Sequence, residues 1–337
     1  MKIIQLKFIL EQLTFDLIGK DSYRGVTLTY AWLANQFGHM ALGFIPTVLI
    51  YQIVKQYSKS NNLNMIIATC VTTFWFSFEI YNVVQPIFLK NNQAYNFKPD
   101  LSNVIFDTLT DICFFAIGAF LAGLSIRLNQ SLIIVNAILL LTVIYPSYYW
   151  YTTKMYQQEA KFPFQLRLSQ WKTNLDENSK STINNFVNNT NKGHHLLVFG
   201  NYKSGKTSLS VAIANEQSIK HKKSLYTSAT KFYNLLYEPN PTENDLKINN
   251  LWGWRNTDYL IIDDINPSIK INGVNVEPHT FFNLLNNNQF GKENLNALQN
   301  TNIIWVLGAN NSDCCDWEQL LISLGIPKEK ISQLMLS

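Results

Sequence analysis

The chain has 337 residues and a formal charge of +4; 47% are apolar and 15% charged, against roughly 25% charged in an average soluble domain. The apolar content excludes a disordered or fibrous chain. Four cysteines (Cys70, Cys113, Cys314, Cys315) with no framework or metal spacing exclude a disulfide scaffold. Residues 1–151 hold nine Lys/Arg and seven Asp/Glu, and residues 152–337 hold eighteen and sixteen, so neither half is basic enough to advertise nucleic acid as a partner.

Residues 1–25 open with a mixed pattern. Ile3, Ile4, Leu6, Phe8, Ile9, Leu10, Leu13, Phe15 and Leu17 are broken by Lys7, Glu11 and Asp16. This predicts an amphipathic helix lying at a membrane surface or packed on another domain, and shows no signal-peptide core or cleavage site. Four apolar runs follow, at 27–54, 63–84, 104–126 and 131–150, each near the 20 or so residues that cross a bilayer. Four such runs in succession predict an all-α, four-helix transmembrane domain over 26–151, with the lipid bilayer as its partner. With four spans both termini share one side. Lys2, Lys7, Lys20, Arg24, Lys90, Lys98, Lys154, Lys161 and Arg167 fall on it, and only Lys55, Lys59 and Arg127 on the other. The bias predicts a multi-pass protein of the bacterial inner membrane with both termini in the cytoplasm. Tyr145, Tyr148, Tyr149, Trp150 and Tyr151 form an aromatic belt at the cytoplasmic end of the fourth run. In the third run, Gly118/Ala122 and Ala119/Gly123 permit close helix packing.

Four ionisable residues sit in or beside these runs: His39, Glu79, Asp107 and Asp111. Charge in lipid is costly, so such groups face protein or water. Asp107 and Asp111 share one helix face, and Asn35 and Gln36 lie near the face of His39. Two readings stand: a polar pocket for an ion, proton or small ligand, or hydrogen bonding between helices.

Residues 152–182 are polar with an interrupted apolar pattern and read as a linker. Beyond them, the apolar strand pattern His195–Phe199 leads into Gly200-Asn201-Tyr202-Lys203-Ser204-Gly205-Lys206-Thr207, followed by Ser208 and a helical stretch. This GxxxxGKT spacing is a phosphate-binding loop: the glycines let successive backbone N–H groups face phosphate oxygens. The following helix adds its positive end. Lys206 is assigned to the β and γ phosphates and Thr207 to Mg2+. A second buried strand, Tyr259–Ile262, ends in Asp263-Asp264. Asp263 is assigned to Mg2+ through water, and Asp264 to orienting and deprotonating the attacking water. A third strand, Ile303–Leu307, leads to Asn310, a candidate for the γ phosphate or the water, with Asn311 as its neighbour.

Taken together, residues 183–335 resemble the AAA+ ATPases of the bacterial helicase-loader, transposition-helper and replication-initiator group. The resemblance runs in order through Gly200–Thr207, Ser224–Ala229 with the helix Thr230–Leu236, Asp258–Asp264, Phe281–Asn286 and the strand to Asn310. It implies an α/β fold over 183–337 with a parallel sheet of order 5-1-4-3-2, ATP and Mg2+ as cofactors, and self-assembly. The family's small helical lid has no counterpart in the sequence. Its late arginine, which reaches a neighbour's γ phosphate, has none either: Ser332-Gln333-Leu334 stand near that place and the last arginine is Arg255. Lys328, Lys330, Arg255 or a partner's residue are the alternatives for that charge.

The sequence therefore predicts a membrane-embedded ATP-binding protein with a cytoplasmic, Mg-dependent ATPase domain. Its nucleotide state would drive assembly or conformational change of a membrane complex, built from its own copies or other subunits. An ATP-gated transport component and an ATP-binding scaffold with little hydrolysis are the alternatives.

Overall fold

The computed structural model describes residues 4–18, 25–88, 96–173, 175–189, 191–266, 270–271, 274–308 and 311–336. The chain divides into two compact units, one made of Leu13–Ala94 and Pro99–Lys154, the other holding Met155 onward with two short earlier segments. Helix α1 (Leu6–Ile18) is followed by α2 (Leu28–Val54), α3 (Leu63–Phe88), α4 (Leu101–Ile126) and α5 (Gln130–Glu159). All four of α2 to α5 are long and apolar enough to cross a membrane.

Small residues bring α2 and α4 into main-chain contact. A Cβ on Gly43 would sit 2.1 Å from the Phe115 carbonyl oxygen, and one on Gly118 would sit 2.0 Å from that of Met40. No side chain fits either place, so the crossing depends on both glycines. Pro46 lies inside α2 and has no N–H to give the carbonyl of Leu42, four residues earlier. Trp75 of α3 supplies the missing donor, its Nε1 reaching Leu42 O at 2.9 Å. Its ring also stacks on Phe115 of α4, centroids 4.6 Å apart. The same α4 face buries Ala119, Ala122 and Gly123, and Asn64 Nδ2 of α3 donates to Gly123 O at 2.8 Å. In this unit Asp16 is buried, its two oxygens taking the Thr27 hydroxyl at 2.9 Å and the Tyr151 hydroxyl at 2.8 Å.

The second unit is a five-stranded, all-parallel sheet: β1 (His195–Gly200), β2 (Ser224–Ser228), β3 (Tyr259–Ile265), β4 (Asn302–Leu307) and β5 (Ile331–Leu336). The spatial order is β5-β1-β4-β3-β2, the order that the family resemblance implies. Helices cover both faces. Period 2 sorts the side chains of β1: Leu197 and Phe199 join one core with α8 (Ala229–Leu235), α9 (Pro278–Asn286), α10 (Gly291–Asn300) and α11 (Asn311–Ser323). Leu196 and Val198 join the other, with α6 (Glu177–Asn188) and α7 (Lys206–Ile219).

Part of the stretch that reads as a linker belongs to this second core. Leu168 and Trp171 are buried in it. Arg167 grips Glu216 of α7 through Nε at 2.7 Å and Nη2 at 3.1 Å, and Asn215 Nδ2 donates to Leu166 O at 2.9 Å. A few anchoring side chains hold a segment that its average polarity describes as solvated.

His195 begins β1 fully buried, its Nδ1 accepting from Trp305 Nε1 at 3.0 Å. Burial pushes its pKa down to about 3. An unfolded histidine binds its proton near pH 6.5, so between these values the unfolded chain holds more protons than the folded one. Stability is full above about pH 6.5 and falls as pH drops, approaching about 1.4 kcal/mol per unit from this residue. Thermal unfolding at pH 6.5 and pH 5 should show a smaller loss in His195→Gln than in the wild type.

Candidate nucleotide site

The loop from Gly200 to Thr207 links β1 to α7 through backbone turns that glycine eases. Gly200 has φ 143° and Gly205 φ 90°, and Lys203 also lies at positive φ, 65°. Gly200 has a second constraint, since a Cβ there would lie 1.9 Å from the Leu336 carbonyl oxygen of β5. The Lys206 ammonium accepts no bond and donates two, to Gly200 O at 2.8 Å and Asn201 O at 2.7 Å. Partial burial lowers its pKa, against an opposing pull from Asp263. Ser204 N donates to Asn201 O, and Ser208 Oγ donates to Gly205 O at 2.8 Å. Tyr202 stands out at the tip, 89% exposed, with the Lys203 ammonium over its ring.

Thr207 and the two acids of β3 meet beside this loop. Asp263 is buried and its carboxylate takes three donors: Thr207 Oγ1 at 3.2 Å, the Asp264 backbone N–H at 2.8 Å and the Tyr226 hydroxyl at 2.7 Å. Successive strand residues normally point to opposite faces. Here the β3–β4 register shifts between Ile262 and Ile265, and Asp264 takes a left-handed φ of 57°. Such an irregularity re-aims side chains: Asp263 stays buried while Asp264 is exposed. Partial burial, then the neighbouring Asp263 charge, raises the Asp264 pKa, which makes it a better base than an ordinary surface carboxylate. Asn310 lies outside the described residues. Asn311 opens α11.

Two contributors are not among the site residues assigned from the sequence. Tyr226 orients Asp263 from β2, where Ser228 pairs with Asp263 in register and Tyr226 lies two residues before it on the same strand face. Trp171 lies against the loop: its Nε1 donates to Ser208 Oγ at 3.3 Å, and a Cβ on Gly205 would meet its ring at 3.4 Å. Alternation along β2 could have pointed to Tyr226; nothing local points to Trp171.

The residues fit a nucleoside triphosphate with a divalent metal. The Ser204 hydroxyl is buried in the loop without a partner among the described residues. The loop's positive-φ backbone, the lysine and the first turn of α7 supply the donors and charge that phosphate oxygens need. Thr207 and Asp263 are an oxygen pair of the kind that holds Mg2+. The candidates for a compensating late charge are engaged elsewhere. Arg255 donates to Asn294 Oδ1, Asn240 Oδ1 and Leu236 O and packs on Trp254 and Phe290. Lys330 donates to Lys192 O at 3.0 Å, and Lys328 lies 3.9 Å from Glu318.

Residues 173–292 match the family model of the bacterial DnaA ATPase domain. The match covers a little over a third of the chain, from the approach to the phosphate loop to the start of α10. A search of the curated proteins finds no match. With the sheet order, the family match supports an α/β AAA+ ATPase domain of the replication-initiator type, preceded by four helices long and apolar enough to cross a membrane. Such a domain binds and hydrolyses ATP with a divalent metal, usually Mg2+.

Proposed function

We propose that this chain is a membrane-embedded, Mg-dependent ATPase whose nucleotide state drives assembly or conformational change of a membrane complex. The observation that carries this reading is the Asp263 carboxylate, fixed by Thr207, Tyr226 and its own neighbour's N–H beside a GxxxxGKT loop. Bound Mg2+ would neutralise phosphate charge and polarise the transferred group. Lys206 places a cation on the phosphates, Thr207 and Asp263 hold the metal, and Asp264 orients the attacking water and takes its proton. Asn310 stays a candidate for the γ phosphate. Arg255, the last arginine, spends its donors within its own unit, which supports a neighbouring copy or another subunit as the source of that charge. The same observation favours, as a second reading, a scaffold that binds ATP and hydrolyses little. The test is phosphate release by the full chain in detergent, measured against protein concentration with Asp264→Asn alongside.

In this reading residues 26–151 span the bacterial inner membrane four times, and 183–337 form the cytoplasmic ATPase domain. The uneven lysine and arginine count supports that orientation. After removal of native thiols, Ser58→Cys should react with a membrane-impermeant reagent on intact cells and Lys98→Cys should not. Labelling of Lys98→Cys from outside would overturn the four-span topology.

A further inference from the structure

Helices α2, α3 and α4 contain Glu79, Asp107 and Asp111 and no lysine or arginine. Acidic side chains on apolar helices face the bundle interior or water and pair with other polar groups. Around Asp111 the helices bring one group able to carry the opposite charge. His39 Nε2 of α2 lies 3.5 Å from Asp111 Oδ1 of α4. Gln36, one turn before His39, donates its Nε2 to the same Asp111 oxygen at 3.1 Å. Asn35 Nδ2 lies 2.9 Å from His39 Nε2. The imidazole packs edge-on against Phe115, centroids 4.5 Å apart. Both residues sit near the middle of their helices: His39 is roughly 16 Å along α2 from Leu28, at 1.5 Å per residue.

The cluster is short of hydrogen-bond partners. Gln36 is 3% exposed, yet its Oε1 has no partner among the described residues, and neither has the buried Nδ1 of His39. Buried polar atoms are normally satisfied. Burial of the ring opposes a charge on His39, and the acidic Glu79 of α3 and Asp107 of α4 favour it. Asp111 is the carboxylate set against the imidazole, Glu79 and Asp107 add negative charge to its surroundings, and a proton on the imidazole supplies the opposite charge. Among the described residues no group of three or more His, Cys, Asp or Glu is placed to hold a metal ion.

We propose that His39 and Asp111 form a proton-binding site within the α2–α4 bundle, the proton residing on the imidazole opposite the Asp111 carboxylate, with Gln36 holding that carboxylate. The proposal is independent of nucleotide chemistry. It rests on the reading of these helices as membrane spans for the surroundings of the site.

The test uses the full chain, histidine-labelled, in lipid nanodiscs, with retention in the disc checked first. A chain that does not enter the disc refutes the membrane reading and leaves the titration to be run in detergent. Ring resonances are followed from pH 5 to pH 9, and that of His39 is assigned by its loss in His39→Gln. The expected result is a titrating His39 whose midpoint moves by about one pH unit or more in Asp111→Asn and by less in Asp107→Asn. A His39 resonance that stays flat across the range overturns the proposal, as does an equal shift in the two carboxamide variants. A midpoint that changes when sodium replaces choline at constant ionic strength also overturns it, by assigning the site to a metal cation. If Asp111→Asn fails to fold, the wild-type titration and the sodium exchange still decide it.

Discussion

Asp264→Asn should abolish phosphate release while leaving ATP affinity nearly unchanged. The amide is the same size as the carboxylate, and the Asp264 backbone N–H that holds Asp263 is untouched. What it loses is a base, and a positioned base contributes about 10²- to 10⁴-fold to such a step. The raised pKa of Asp264, caused first by burial and then by Asp263, adds a pH signature: wild-type turnover should fall as pH drops through that pKa, because the protonated acid accepts nothing. The basal rate should itself be slow. A positioned arginine adds about 10³- to 10⁵-fold in related systems, and Arg255 is bound within its own unit. Turnover per chain should therefore rise with protein concentration. Release that survives Asp264→Asn would move the base elsewhere, and fast release independent of concentration would remove the need for a supplied charge.

Lys206→Ala should lower ATP affinity by at least roughly tenfold, since one charge-assisted contact is worth about 1.5–3 kcal/mol. The side chain also ties the loop together through Gly200 O and Asn201 O, so part of the loss comes from a less ordered loop. The two effects separate by substitution: Lys206→Gln retains a donor for the loop carbonyls but not the charge. A nucleotide titration giving wild-type affinity for Lys206→Ala would refute the phosphate-loop assignment.

The loop spacing and the apolar helices were legible because each is written locally, in a fixed spacing or a run of similar residues, whereas the strand order came only as what the family resemblance implies. Tyr226 and Trp171 were not, because their roles depend on strand register and on a segment folding back over α7. The shift in β3 was equally hidden. Asp263-Asp264 reads as two acids at a strand end, and only the paired strands reveal how the backbone separates their exposure. In the apolar helices the small residues of α4 were visible, but their partner Gly43 needed knowledge of which helices cross. The same gap concealed the pairing of His39 with Asp111, which lie on different helices 72 residues apart.

The glycine crossing of α2 and α4 bears on how this protein can drift over generations. Where side chains interlock, a lost methyl on one helix can be made good by a gained one on the other. Between Gly43 and the Phe115 carbonyl, or Gly118 and that of Met40, there is nothing to trade, because the touching parts are main chain. Neighbouring surfaces can be rewritten residue by residue, yet these two positions accept no compensating change elsewhere. His39 and Asp111 lie within two turns of the crossing on either helix. Their spacing is therefore set by the backbone and is insulated from turnover in the apolar residues around them.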